Sequence, residues 1–213
     1  MKHVSTRMQD FERNVFINCP FDHEYVPLLR PLLFTILDLG FTPRIATERS
    51  DSNENRLDKI VALIRASRNS IHDISRPTAT AAGEFARFNL PFELGVDHGA
   101  QLFGGTRFRT KRVLILDTDP YDYRRALSDI SGVDIKHHRS SPTLLVRVVR
   151  DWFLETAGVK DAPSPTVLWY RFTDFASAFY DERKDAGFSD EELNFMPVTE
   201  YIEAIRRWRA RRV

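Results

Sequence analysis

The chain of 213 residues has a single cysteine, Cys19, so it can close no intramolecular disulfide and carries no CxxC metal or redox motif. Net charge is nearly absent: 31 Lys and Arg against 30 Asp and Glu leave +1, which gives the chain as a whole no strong pull toward nucleic acid or anionic membrane. No stretch approaches the roughly 20 uninterrupted apolar residues of a membrane-spanning helix. Residues 1–13 lack the continuous apolar core of a signal peptide and read as an N-terminal extension. Glycine is sparse, with nine in all, and its placement excludes several chemistries. There is no GxGxxG after the first apolar run, which argues against a nicotinamide cofactor held in the Rossmann manner. There is no GxxxxGK[ST], no GxSxG elbow and no HExxH, and Gly104-Gly105-Thr106 is a turn. These absences predict a soluble cytoplasmic protein with no metal and no resident cofactor.

What is present alternates. Asn14-Val-Phe-Ile-Asn18 is a short buried strand closed by Cys19-Pro20. Residues 24–39 repeat apolar side chains at helical spacing and stop at Gly40. Pro27 and Pro31 sit awkwardly there, so the regular helix is expected to begin near Pro31. Further strands are expected at 41–46, 70–74 and 112–116, with a weak one near 132–137. Helices are expected from Leu57, from Pro91 to about 102, and over 144–154. Strands that alternate with helices and are apolar on both faces belong to a parallel sheet covered on both sides. The expected fold is a doubly wound, mainly parallel α/β domain of the flavodoxin type over 14–158. Residues 159–213 form a linker and a helical appendage, with helices at 166–180 and 197–212.

In such sheets ligands bind beyond the carboxyl ends of the strands. The most informative segment is Arg87-Phe-Asn-Leu-Pro-Phe-Glu-Leu-Gly95, which sets Glu93 in the first turn of a helix near that edge. The helix dipole favours its ionised form. A carboxylate there can stabilise a cationic sugar transition state or attack an anomeric carbon; it can equally serve only to complement the dipole. Asn18, Cys19, Phe21 and Asp22 follow strand one, Arg44 and Arg49 follow strand two, and Asp73 and Ser75 close strand three. Asn, Arg and exposed backbone N–H groups suit phosphate or ribose, and Phe21 suits stacking on a base. Each of these residues alone also has a structural reading, as a loop cap, a solvated charge or, for Phe16, core.

Three further features carry less. A phosphate-receiver domain needs an acidic pair after strand one, where Asn18 and Cys19 stand, so Asp73 matches a phosphoacceptor by location only. Asp134, His137 and His138 have no spacing that matches a metal site. The five arginines between Arg206 and Arg212, with Trp208, fit a helix end better than a nucleic-acid contact.

Several of these stretches together resemble a known family. Phe16-Ile-Asn-Cys-Pro-Phe-Asp22, Ile71-His-Asp-Ile-Ser75, Arg87 to Gly95 and Ser128-Asp-Ile-Ser-Gly-Val-Asp-Ile135 are similar to the bacterial TIR-like (Toll/interleukin-1 receptor-like) predicted nucleotide-binding proteins, over about residues 14–154. In catalytic TIR domains a glutamate near the start of the third helix cleaves the nicotinamide–ribose bond of NAD, and Glu93-Leu94 falls on that position. Asn89-Leu-Pro-Phe stands where those domains have Trp-Cys. The same Glu-Leu-Gly pattern resembles nucleoside 2-deoxyribosyltransferases, which also act at an N-glycosidic bond.

The resemblance implies Glu93 as catalytic carboxylate with Asp73 as helper. Phe16, Asn18, Cys19, Phe21, Asp22, Arg44, Arg49 and Asn89 would line the nucleotide pocket. It implies NAD as substrate rather than cofactor, a role in bacterial defence or stress signalling, self-assembly into homo-oligomers, and a partner defence protein. A non-catalytic nucleotide-sensing or adaptor module and a base-exchanging transferase are the alternatives.

Overall fold

The computed structural model of the protein describes residues 10–48, 51–75, 88–125 and 127–212. The chain divides into two compact units: residues 1–20 with 42–140, and residues 21–41 with 141–213.

The first unit is built on five parallel strands: β1 (Asn14–Asn18), β2 (Thr42–Ile45), β3 (Asn69–Asp73), β4 (Arg112–Asp117) and β5 (Lys136–His137). Their order, β2-β1-β3-β4-β5, is that of a doubly wound α/β sheet, in which the direction of winding reverses between β1 and β3. The register pairs Phe16 with Ser70 and Asn18 with His72 across β1 and β3, and Asp73 with Leu116 across β3 and β4. The carboxyl ends of β1 and β3 therefore lie side by side at the switch point. β1 and β3 are buried at every position. β5 keeps only two residues of the expected 132–137 strand; Asp129, Gly132 and Val133 before it are exposed, so little apolar burial draws that stretch into the sheet.

Two helices belong to the same unit. In chain order the helices are α1 (Val26–Asp38), α2 (Arg56–Ala66), α3 (Asn89–Phe103), α4 (Pro142–Glu155), α5 (Pro165–Asp185), α6 (Asp190–Asn194) and α7 (Val198–Ala210). α2 starts where the Asn55 side chain accepts from the N–H of Leu57, 2.8 Å, and of Asp58, 3.4 Å, a standard N-cap. It buries Ile60, Leu63 and Ile64 against Phe16 and Ala46, with Val96 and Ala100 of α3 packed on the same cluster. A second cluster joins Ile74, Leu94, Ile115, Tyr123 and Ile135. α3 ends at Gly104, where a Cβ would stand 2.2 Å from the Ala100 carbonyl oxygen, so only glycine fits that exit.

In the second unit α1 packs against α4, α5 and α7. Phe34 is its centre, with ring centroids of Phe175, Phe172 and Trp208 at 5.6, 5.7 and 5.8 Å. α1 begins at Val26, five residues before the expected start at Pro31. Pro27 falls in the first turn, where the missing N–H has no cost. Pro31 loses one helical hydrogen bond, about 3 kcal/mol for an interior proline. Against that, α1 buries Leu28, Leu29, Leu32, Leu33, Ile36 and Leu37, each worth roughly 1.5–3 kcal/mol. Gly40, at φ +84°, closes the helix in the left-handed conformation expected of it. Ser141, Ser164 and Ser189 cap α4, α5 and α6. None of the described helices is long and apolar enough to cross a membrane.

Candidate active site

α3 lays a polar stripe on the sheet side of the first unit. Glu93, Asp97 and Gln101 recur every four residues, so they share one face of the helix. Each meets a different environment.

Asp97 is fully buried between two donors. Its Oδ2 lies 3.0 Å from His72 Nε2, and its Oδ1 lies 3.0 Å from Lys111 Nζ. Burial pushes the Asp97 carboxyl up, but the His72 hydrogen bond and the Lys111 charge outweigh it and leave the group below its usual value. Lys111 is pushed down by burial, against the pull of Asp97. It also donates to the carbonyls of Ile64, 3.1 Å, and Ser67, 2.6 Å, so the ammonium ties three chain segments together. Gln101 donates to the Lys111 carbonyl at 3.2 Å.

The network continues through His72 to Asn18. The Asn18 amide nitrogen is 2.9 Å from the Leu90 carbonyl and 3.0 Å from His72 Nδ1. Reversing the amide would press its oxygen against the Leu90 carbonyl, so the orientation is fixed. His72 Nδ1 therefore accepts, and the ring proton sits on Nε2 and is donated to Asp97. Asn18 is wholly buried, and its Oδ1 has no hydrogen-bond partner among the described residues.

Glu93 is held differently. It is 3% exposed, yet the cation facing it is Arg56 Nη2 at 3.5 Å, on a side chain that is 59% exposed. The Asn89 side chain, one turn earlier, also bonds its carboxyl. Burial raises the Glu93 pKa, and the charge of Arg56 offsets this only in part. The dipole argument from sequence predicts the opposite, a favoured ionised form. The correction has a simple cause. Glu93 is the fifth residue of α3, in its second turn, where the dipole has weakened and desolvation dominates.

At the end of β3, Asp73 is fully buried. Its Oδ1 accepts from the Ser75 N–H at 3.0 Å and from the Ser75 hydroxyl, and its Oδ2 lies 3.1 Å from His138 Nε2. The Ser75 Oγ is 3.0 Å from the same nitrogen. His138 Nδ1 accepts from the Ser140 N–H at 3.0 Å, which places the ring proton on Nε2. Asp73 and Ser75 thus meet one ring nitrogen. A nucleophile relay needs the acid and the hydroxyl on opposite nitrogens, so this cluster is a locked strand end rather than a serine triad.

The remaining sequence candidates scatter. Phe16 is core, its ring 5.7 Å edge-on from His72. Cys19 is buried beside Asn18 in the chain. Phe21 and Asp22 fall in the second unit, where Asp22 caps the turn His23–Tyr25 by accepting from the Tyr25 N–H at 2.9 Å. Arg44 pairs with Glu48 at 3.1 Å and lines a cleft of about 620 Å3 with Asn14, Arg65 and Arg107, which Glu93 does not line. Arg49 lies outside the described residues. Asp134 pairs with Lys136 at 2.7 Å, and burial pushes the half-buried His137 down. Among the described residues no cluster of His, Cys, Asp and Glu could hold a metal ion. Of the C-terminal arginines, Arg209 is engaged within its own unit by Asp38, Arg211 by Glu182, and Arg212 by Asp174 and the Trp208 ring.

Sequence reasoning missed Arg56, His72, Asp97 and Lys111. The spacing of Glu93, Asp97 and Gln101 was the available signal, together with a histidine in the middle of a buried strand. No protein-family model matches the chain, and no curated protein is significantly similar to it.

Proposed function

We propose that this protein cleaves the N-glycosidic bond of NAD or a related nucleotide, with Glu93 as the catalytic carboxylate. The observation that carries the reading is the contrast between two acids on one helix. Asp97 is compensated at 3.0 Å on both oxygens and its pKa is lowered, as a structural acid requires. Glu93 is nearly as buried, has one cation at 3.5 Å on an exposed arginine with the Asn89 side chain beside it, and has its pKa raised. An under-compensated acid near the carboxyl edge of a switch-point sheet fits a reacting group better than a structural one.

The chemistry asked of it is modest. In NAD the ring nitrogen of the nicotinamide is cationic. Breaking the ribose C1′–N bond sends the electron pair to that nitrogen and releases neutral nicotinamide. Glu93, ionised, either stabilises the oxocarbenium or bonds to C1′. Water then bonds to C1′, breaking the C1′–Oε bond where the ester has formed, and its proton passes to the freed carboxylate and from there to solvent. The Lys111–Asp97–His72–Asn18 chain holds β1, β3 and α3 in register beneath it, and Asn89 with Arg56 orients the carboxyl. A cytoplasmic setting and a role in bacterial defence or stress signalling, with a partner protein, belong to the same reading.

Incubation with a panel of NAD, nucleosides and nucleotides, read by mass spectrometry, tests it. Release of a free base at a rate that falls at least about a hundredfold in Glu93→Ala supports it. Transfer of the sugar to an added base would instead assign base exchange. Release at an unchanged rate in Glu93→Ala would remove Glu93 from the mechanism.

A second reading, a non-catalytic module that binds a nucleotide and signals by self-assembly, is favoured by the outer side of α3. Phe88, Phe92 and Phe103 are 67%, 56% and 89% exposed and fall on one helical stripe, with Gly95 and Gly99 between them. That stripe offers roughly 400 Å2 of aromatic surface, about half of what each partner gives to a standard interface. Ligand binding without turnover, under conditions that promote oligomers, would select this reading.

A further inference from the structure

The second unit contains a cavity of about 460 Å3 that the Glu93 chemistry does not use. It is lined by the rings of Phe172, Phe179, Tyr180 and Tyr201, with Arg30 of α1 among them. Its volume falls in the range of small-molecule sites, roughly 300–1,000 Å3.

Arg30 sets the chemistry. Its guanidinium is half-buried, donates to the Leu193 carbonyl and lies over the Tyr201 ring, 4.9 Å from the centroid. Among the described residues no carboxylate pairs with it. Other arginines of the same unit do have acids: Arg171 and Arg209 have Asp38, and Arg183 has Glu200. The acid that lines the cavity, Asp190, is already taken by the Tyr180 hydroxyl at 2.9 Å and Lys184 at 3.4 Å. A guanidinium has five donors in a flat fork, and one carbonyl leaves most of them unused. A partly buried cation among aromatic rings, without a counter-ion, is a costly arrangement unless a ligand brings the anion. Tyr201 adds a second donor: burial raises its pKa, so the phenol stays protonated, and its hydroxyl has no partner among the described residues.

We propose that this cavity binds a small planar aromatic carboxylate, its ring among the aromatic side chains and its two oxygens on the Arg30 fork. The carboxylate is favoured because its planar oxygen pair matches the guanidinium edge. The aromatic body is favoured because the walls offer ring contacts on several sides.

The test uses the full chain and isothermal titration with 2-naphthoate and its neutral isostere 2-naphthamide. Saturable one-to-one binding of the acid at millimolar concentration or below is expected, with the amide weaker by roughly tenfold or more. Arg30→Gln should weaken the acid by a similar factor and leave the amide unchanged. Ala176→Trp, which adds an indole to the cavity wall and keeps the Arg30 side chain, should abolish binding of both. It keeps the test open if the Arg30 variant fails to fold. Equal affinity for acid and amide, no saturable binding of the acid, or binding of the acid that survives Ala176→Trp would each overturn the proposal.

Discussion

Replacing Lys111 with methionine keeps the side chain's length and deletes one charge from the middle of the first unit. Lys111 Nζ and the Asp97 carboxyl are both inaccessible to solvent and stand 3.0 Å apart, and the same ammonium serves the Ile64 and Ser67 carbonyls. Removing it leaves an uncompensated carboxylate and two carbonyls without their donor. Breaking a buried pair from one side costs about 3–5 kcal/mol. For a chain of this size each kcal/mol moves Tm by about 2–4 °C, so Lys111→Met should lower it by roughly 6–20 °C.

The pH dependence carries a second signature. In the native protein the Asp97 pKa lies below its ordinary 3.8, so its stabilisation is present above that value and fades as pH falls through the lowered native value. In Lys111→Met the same carboxyl loses its cation and its pKa rises, so acid relieves the penalty. The gap between the two proteins should therefore narrow as pH falls from 7 toward 4. Urea melts followed by circular dichroism at several pH values read both effects. A cost below about 1 kcal/mol at pH 7, or a gap that widens in acid, would refute the placement of a charged pair in this core.

Glu93 should behave in the opposite sense. Its raised pKa means the folded state holds the proton more tightly than the unfolded one, so stability falls as pH rises from 4.5 through the raised value. Glu93→Gln should accordingly raise stability at pH 7 by about 1 kcal/mol, read by thermal melts, even as it removes function. Ser189→Ala breaks the capping box in which the Ser189 N–H and hydroxyl meet Glu192, and should cost about 1 kcal/mol with no effect on the first unit. Phe92→Ser with Phe103→Ser should reduce any concentration-dependent association seen by analytical ultracentrifugation and leave the monomer's melt within about 0.5 kcal/mol.

How much was legible depended on whether a residue's partners were near in sequence. β1 and β4 are apolar runs that announce themselves, and the alternation of strand and helix was enough to call for a parallel sheet. β3 begins one residue before its apolar pattern indicates, because Asn69, polar and buried, donates its amide to the Glu12 carbonyl, a contact invisible along the chain. The start of α1 is not legible locally, because Pro27 and Pro31 argue for a late start and only the leucines that the helix buries outweigh them. The grouping of residues 21–41 with the C-terminal helices is likewise a matter of packing around Phe34, which no local pattern encodes.

At the site, the position of Glu93 on a helix beyond the third strand was readable from Arg87 to Gly95. Its environment was not. Arg56, His72, Asp97 and Lys111 come from three other places in the chain or from further along the same helix, and only their contacts reveal which acid is compensated and which is not. Arg44 shows the converse. A place after the second strand suggests a nucleotide contact, whereas Arg44 stands within β2 and its guanidinium is engaged by Glu48.

The most direct test of the account is nicotinamide release from NAD by the native protein and by Glu93→Ala, at concentrations high enough to allow self-assembly. A native rate that rises as pH passes upward through a midpoint above 4.5, and that drops at least about a hundredfold in the variant, is the predicted result. Nicotinamide release that is equal in the two proteins would contradict it.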